Sequence, residues 1–139
     1  MKDYEIFEHT ADLGVRVYGR DLQTLFKNAA VALFSLVVDS CPPQEKEITV
    51  KLEVKTLEDL LLNWLNELIS VFFTYKFLPS GYNIHISKEE PYILRATLKG
   101  AGYDPYSQKV NTEIKAATYH GLKIEEVPEG FKAEIIFDV

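Results

Sequence analysis

Between residues 22 and 75 the hydrophobic pattern changes from a helical period to a strand period and back again. Apolar residues recur at i, i+3, i+4 and i+7 from Leu22 to Val37 and again from Thr56 to about Tyr75, which predicts two amphipathic helices. Apolar and polar residues alternate from Ile48 to Val54, which is typical of a half-buried strand. Asp21 and Thr56 are the candidate N-caps, since their side-chain oxygens can accept hydrogen bonds from first-turn amides. The fold must therefore combine helices with a sheet.

Weaker period-2 patterns predict the remaining strands. They lie at Tyr4–Glu8, Leu13–Tyr18, Tyr82–Ser87, Tyr92–Leu98, Glu113–Glu125 and Phe131–Asp138. Pro79-Ser80-Gly81 and Gly100-Ala101-Gly102 are predicted to interrupt them. A sheet of such strands has one apolar face, and two helices with one apolar stripe each can cover that face. We therefore expect a single α+β domain over residues 1–139, a two-layer sandwich in which two helices pack on one face of a mostly antiparallel or mixed β-sheet.

Composition and charge exclude several classes of protein. The 139 residues contain 15 Lys and Arg against 21 Asp and Glu, so the formal net charge is −6. This balance, with no run rich in Lys or Arg, argues against strong sequence-independent binding of nucleic acid. Cys41 is the only cysteine, which excludes an internal disulfide and a cysteine-clustered metal site. The polar N-terminus and the short apolar run at Ala29–Val38 lead us to expect a soluble, cytoplasmic chain without a membrane span.

The short motifs of nucleotide-binding and hydrolytic enzymes are missing from the sequence. It contains no GxxxxGK[ST], no GxGxxG after a predicted strand and no GxSxG. His9, His85 and His120 are the only histidines, and each lies in a different segment. A hydrolase built on one of these motifs is therefore not indicated.

Several polar residues near the two ends of the chain are candidates for function. His9-Thr10-Ala11-Asp12 lies between two predicted strands, where a plain turn is the simpler interpretation. Asp138 is the penultimate residue of the last predicted strand, and the α-carboxylate of Val139 would add a second anionic group beside it.

The segment from Glu113 to Gly121 contains a third candidate. Small residues flank Lys115, which leaves room for its ammonium group to reach a carboxylate or a partner, although a single strand lysine is more often merely solvated. Strand alternation places His120 on the same face as Ile114 and Leu122, which predicts a histidine of the core.

A hard divalent cation requires several oxygen ligands. Asp12, Asp138 and the Val139 terminus supply them only if the N-terminal loop meets the end of the last strand, with Asp39 and Asp104 as reserve candidates. Ca²⁺ or Mg²⁺ is favoured over Zn²⁺ because the chain offers no cysteine cluster and no histidine pair.

Taken in order, these motifs resemble the archease family over essentially the full chain. The resemblance rests on His9-Thr10-Ala11-Asp12, on Glu113-Ile114-Lys115-Ala116-Ala117-Thr118-Tyr119-His120-Gly121-Leu122 and on Phe137-Asp138-Val139. Gly19-Arg20-Asp21-Leu22, Asp39 and the segment from Leu61 to Leu68 also fit the family. Ala117 and Val139 replace the larger aliphatic residues that are frequent in relatives, and neither change removes a proposed ligand.

The resemblance implies a non-catalytic accessory factor for the GTP-dependent RNA-splicing ligase of the RtcB type, which promotes guanylylation of the ligase's active-site histidine. It implies a Ca²⁺ site formed by Asp12, Asp138 and the terminal Val139, and a role for Lys115 in ligase activation, and we expect His9 and His120 to face the partner. Two alternatives stay open: a chaperone or binding module for RNA-modifying enzymes such as methyltransferases, and a metal-dependent hydrolase that uses the same carboxylates.

Overall fold

The structure, a computed structural model, describes residues 2–9 and 12–139. Of His9 it describes the backbone but not the side chain. Thr10 and Ala11 of the first candidate motif therefore lie outside the described residues. The described elements are β1 (Tyr4–His9), β2 (Asp12–Gly19), α1 (Leu22–Val37), β3 (Lys46–Val54), α2 (Leu57–Phe73), β4 (Phe77–Ile86), β5 (Tyr92–Gly102), β6 (Ala116–Thr118), β7 (Ile124–Val127) and β8 (Gly130–Asp138). Neither α1 nor α2 is long and apolar enough to cross a membrane.

Both predicted helices are confirmed, together with their N-caps. An Asp21 carboxylate oxygen accepts a hydrogen bond from the Thr24 amide at 2.8 Å. The Thr56 hydroxyl oxygen accepts one from the Asp59 amide at 3.1 Å, at the start of α2. The two N-cap residues predicted from the sequence are therefore the residues that cap the helices.

The strands form two antiparallel sheets rather than one. The first, sheet A, has the order β1-β2-β8-β6, with β7 also paired to β8, and the second, sheet B, has the order β3-β5-β4. Helix α1 contacts β2 and β4, and α2 contacts β3 and β6, so each helix touches both sheets. The α+β class is confirmed, and the helices join two sheets where the sequence indicated a single one.

The core lies between the helices and the inward faces of the two sheets. Phe26, Trp64 and Phe137 are fully buried within it. The Trp64 indole Nε1 donates a hydrogen bond to the Phe26 carbonyl oxygen at 3.0 Å, and the buried Asn28 Nδ2 donates one to the Tyr18 carbonyl oxygen at 2.7 Å. The polar atoms that these side chains carry into the core are thus satisfied.

The prediction that glycine and proline end strands was wrong at two places. β4 continues through Pro79-Ser80-Gly81 with a shift in register between Pro79 and Gly81. β5 likewise continues to Gly102. A Cβ on Gly100 would collide with the Leu78 carbonyl oxygen of β4, so glycine permits a close approach of two strands here.

The predicted strand from Glu113 to Glu125 is in fact two short strands, β6 and β7. Between them the chain turns, with a hydrogen bond of 3.0 Å from the Leu122 amide to the Tyr119 carbonyl oxygen. Gly121 in this turn has φ of +65°, a conformation that side chains disfavour. His120 lies in the same turn and is exposed, so its prediction as a core histidine was wrong because strand alternation stops at Thr118.

Candidate functional site

The candidate site lies at the end of sheet A where β2 begins and β8 finishes. Leu13 of β2 pairs with Phe137 of β8. Asp12 and Asp138 each lie one residue further along these antiparallel strands, so they occupy adjacent positions at one sheet end. Neighbours that follow a paired register project to the same face of a sheet. Asp12 is half-buried and Asp138 is exposed.

The neighbouring strands β1 and β6 add residues on either side of Asp12 and Asp138, so that a row of paired positions crosses this end of the sheet. The backbone of His9 in β1 pairs with Asp12, and Ala116 in β6 pairs with Asp138. The Lys115 amide donates a hydrogen bond to the Asp138 carbonyl oxygen at 2.8 Å, which fixes the lysine backbone beside the last residues of β8. The Lys115 side chain is exposed. The structure therefore brings residues from both ends of the chain, and a lysine far from both in the sequence, to one sheet end.

Three polar side chains of α2 hold the segment that contains Lys115 and His120. The Asn66 amide bonds the Ala117 backbone twice, with Oδ1 accepting from the Ala117 amide at 2.8 Å and Nδ2 donating to its carbonyl oxygen at 3.3 Å. The Tyr119 hydroxyl donates to Asp59 at 2.8 Å, and this bond raises the pKa of Tyr119. A Glu58 oxygen accepts from the Ile124 amide at 3.0 Å. No local sequence pattern predicts these contacts, because the partners are 51 to 66 residues apart.

Next to Asp12 and Asp138, side chains on the outward face of sheet A contact one another across three strands. Arg16 Nε donates to Glu134 at 2.7 Å across β2 and β8. Its guanidinium lies 4.3 Å from the centre of the Phe7 ring, which covers Gly14. Two residues further along β2 from the acidic end, the Tyr18 hydroxyl donates to Glu5 at 2.6 Å, and this hydrogen bond lowers the pKa of Glu5. These contacts link β1, β2 and β8 in the register that brings Asp12 next to Asp138.

The reserve candidates Asp39 and Asp104 accept hydrogen bonds in loops away from the end of sheet A. Asp39, which follows α1, accepts a hydrogen bond from Asn111 Nδ2 at 2.7 Å. Asp104, which follows β5, accepts one from the Tyr106 amide at 3.0 Å, and this bond lowers the pKa of Asp104. Neither carboxylate belongs to the row at the end of sheet A.

The ligands predicted for the sheet end are all oxygens. Two aspartate carboxylates and a main-chain oxygen of Val139 suit a hard cation better than Zn²⁺. Among residues 2–9 and 12–139, no group of three or more His, Cys, Asp or Glu side chains is arranged to hold a metal ion. The predicted ligand set contains only two such side chains, and its third ligand is a main-chain oxygen of Val139.

Comparison with known proteins identifies the family. Residues 4–139 match the Archease protein family (MTH1598/TM1083). The chain is 37% identical to the protein archease of Pyrococcus abyssi, over 100% of both chains, and 36% identical to that of Methanosarcina acetivorans, over 99% of this chain and 97% of the relative.

Two solved structures share the fold. The solution structure of protein 1598 from Methanobacterium thermoautotrophicum is 29% identical and superposes with a TM-score of 0.84, over 100% of both chains. The crystal structure of an archease from Thermotoga maritima, described as a possible chaperone, is 26% identical with a TM-score of 0.65, over 96% of this chain and 94% of that one. The chain therefore belongs to the archease family.

Proposed function

We propose that this protein is a cytoplasmic, non-catalytic accessory factor that activates a GTP-dependent RNA-splicing ligase. It promotes transfer of the guanylyl group to the active-site histidine of the ligase and so sustains multiple turnovers in tRNA splicing. The observation that carries this proposal is the row at the end of sheet A, where Asp12 and Asp138 are neighbours and the Lys115 backbone is bonded to Asp138. Family membership supports it.

Charge directs the encounter between the two proteins. The formal net charge of this chain is −6. A ligase that binds RNA and GTP has basic grooves, and electrostatic steering brings an acidic partner towards them. The exposed acidic end of sheet A is the part of this chain that enters or borders the ligase active site.

Asp12, Asp138 and the terminal Val139 would together hold a Ca²⁺ ion, or Mg²⁺ in its place. When bound, the cation supplies positive charge that can neutralise phosphate oxygens of GTP. The Lys115 backbone is bonded to that of Asp138, and in this proposal the exposed ammonium group of Lys115 neutralises a phosphate or keeps the carboxylates in register. The remaining proposed contacts with the ligase are His9, at the end of β1 beside the row, and His120, in the exposed turn that follows the far end of β6.

Guanylylation of the ligase from labelled GTP tests this proposal. A substoichiometric amount of this protein is expected to accelerate formation of the ligase–guanylate, with each molecule serving several ligases. The Asp138→Ala variant is expected to lose the acceleration, whereas Asp39→Ala, which removes a carboxylate outside the row, is expected to retain it. Full stimulation by Asp138→Ala would reject the proposed role of the acidic sheet end.

One observation favours a second candidate function, that of a chaperone for RNA-modifying enzymes. The related Thermotoga maritima archease is described as a possible chaperone. A chaperone suppresses aggregation of its client in a stoichiometric manner and needs neither Asp12 nor Lys115 to do so. Absence of any effect on guanylylation at all ratios, together with stoichiometric protection of a client by the Lys115→Ala variant, would favour this second function.

A further inference from the structure

The outward face of sheet B carries a row of basic side chains that cross all three strands. Lys51 of β3 pairs directly with Arg95 of β5, and Arg95 pairs directly with His85 of β4. All three residues are exposed. They are widely separated in the sequence, so the patch does not appear there as a basic run.

Such a row lowers the stability of the fold. Like charges placed directly opposite each other on a sheet repel. Among the residues that the structure describes, no carboxylate forms an ion pair with Lys51 or Arg95. The neighbouring Lys99, in contrast, lies 3.7 Å from Glu47, its cross-strand partner. On the other flank, the carboxylate of Glu53 is exposed opposite Ile93. The centre of the face thus keeps its positive charge between an ion pair on one flank and a carboxylate on the other.

On the side of the row away from Glu53, the surroundings are polar and suited to an anion. The next row consists of Thr49, Thr97 and Asn83, which are cross-strand neighbours. A groove of about 330 Å³ adjoins it, and its lining includes Lys27 and Lys99 but no carboxylate. The face therefore offers both positive charge and hydrogen-bond donors to one extended ligand.

These features favour RNA over an acidic protein. Protein interfaces depend on buried aromatic or aliphatic anchors, and this face is built from charged and hydroxyl or amide side chains. Lys, Arg, Thr and Asn are residues that contact phosphate and sugar. The Thr49–Thr97–Asn83 row can bond the ribose 2′-hydroxyl, which DNA lacks.

We propose that the outward face of sheet B binds the phosphodiester backbone of single-stranded RNA, weakly and without sequence preference. The net charge of −6 repels RNA from most of the molecule, so this face also sets the orientation in which RNA approaches. The inference goes beyond ligase activation and does not depend on it, because binding is measured on this protein alone.

Fluorescence anisotropy with a labelled single-stranded RNA of about 20 nucleotides tests the proposal across a range of salt concentrations. Phosphate contacts by Lys51, Arg95 and Lys27 of the adjoining groove predict a log–log salt slope of about −2, since each contact on a single strand contributes about −0.7. The double variant Lys51→Gln/Arg95→Gln is expected to reduce the slope to about −0.7 and to weaken binding most at low salt. DNA of the same sequence is expected to bind less tightly.

A matched control makes the same change in net charge elsewhere. The variant Lys109→Gln/Lys123→Gln, at exposed positions outside this face, is expected to keep the affinity and the slope. Absence of RNA binding, or equal weakening by both variants, would overturn the proposal. Equal affinity for DNA would overturn the choice of RNA, and tighter binding of a poly-glutamate peptide, lost in the Lys51→Gln/Arg95→Gln variant, would assign the face to an acidic protein.

Discussion

At the scale of single residues, Asn66 is the side chain that most directly fixes the position of Lys115. Its amide satisfies both backbone groups of Ala117, which is two residues from the lysine and is buried. A buried backbone group that loses its partner costs the full desolvation penalty. Of the three α2 side chains that hold this segment, Asn66 is therefore the one bonded nearest to Lys115.

Replacing Asn66 by Ala is expected to destabilise the protein by about 1–3 kcal/mol, since it leaves two backbone groups unpaired. It is also expected to reduce ligase stimulation, because β6 and the adjoining lysine lose their nearest bonds to α2. Urea denaturation and the guanylylation assay measure the two effects. The control is Asn63→Ala, an exposed position on the same helix, which is expected to change neither. Equal effects of the two substitutions would contradict this role for Asn66.

Residue type identified the carboxylates at the sheet end but not the groups that support them. Asp12 and Asp138 stood out because acidic residues next to apolar strands call for an explanation. Asn66 gave no such signal, because its partner is the backbone of a residue 51 positions away and backbone groups are the same in every sequence. His120 was placed wrongly because alternation was extended past the end of a strand.

At the scale of elements, the N-cap of α1 makes a prediction about pH. Hydrogen bonds from Thr24, first from its side chain and then from its amide, hold the pKa of Asp21 below its ordinary value of 3.8. A lowered pKa in the folded state means that the charged form stabilises the fold. This contribution is fully present above the pKa of the unfolded chain and is lost as the pH falls through the lower folded pKa.

The Asp21→Ala variant is therefore expected to unfold more easily at pH 7, by about 0.5–2 kcal/mol. The difference from the unsubstituted protein should shrink as the pH falls below 3.8. Asp21→Asn keeps a capping oxygen without the charge and is expected to lose less stability at pH 7. Chemical denaturation as a function of pH measures all three proteins. A difference between Asp21→Ala and the unsubstituted protein that does not change with pH would refute the electrostatic part of this account.

The basic row of sheet B makes an element-scale prediction about stability. Lys51→Gln removes a charge that faces Arg95, so it is expected to stabilise the protein by about 0.2–1 kcal/mol. Lys99→Gln removes a charge that faces Glu47, so it is expected to stabilise nothing and to cost up to about 1 kcal/mol. Melting temperatures at low and high salt measure both variants, and high salt should bring them together. A lower melting temperature for Lys51→Gln at low salt would show that the row is not under repulsion.

Elements were predictable where the pattern is long and periodic. Both helices followed from their apolar stripes and caps, and β3 followed from strict alternation. The strands that contain Pro79 or Gly100 were cut short, because the same residues that end strands also permit bulges and close approaches inside them. The distinction depends on the neighbouring strand, which the local sequence does not describe.

At the scale of the whole molecule, the acidic sheet end exists only because the first and last parts of the chain pair. Arg16 and Glu134, which are bonded across β2 and β8, are 118 residues apart. Such pairing, like the division of the strands into two sheets, follows from how all elements share one core, and no segment encodes it alone. The sequence could name the carboxylates, whereas only the fold shows that they are neighbours.

A cation that binds at this sheet end should stabilise the entire fold, since the two strands that supply the ligands come together only in the native state. Binding to the folded state alone adds about 2.7 kcal/mol when free Ca²⁺ is 100 times its Kd. We therefore expect Ca²⁺ to raise the melting temperature by several degrees, and a chelator to reverse the increase. Asp12→Asn and Asp138→Asn should each abolish the increase, because either change leaves too few anionic oxygens. Asp39→Asn and Asp104→Asn alter carboxylates that are held in other loops, so they should leave the increase intact. If the increase survived in Asp138→Asn but vanished in Asp39→Asn, the cation would belong to the loop after α1 and not to the end of sheet A.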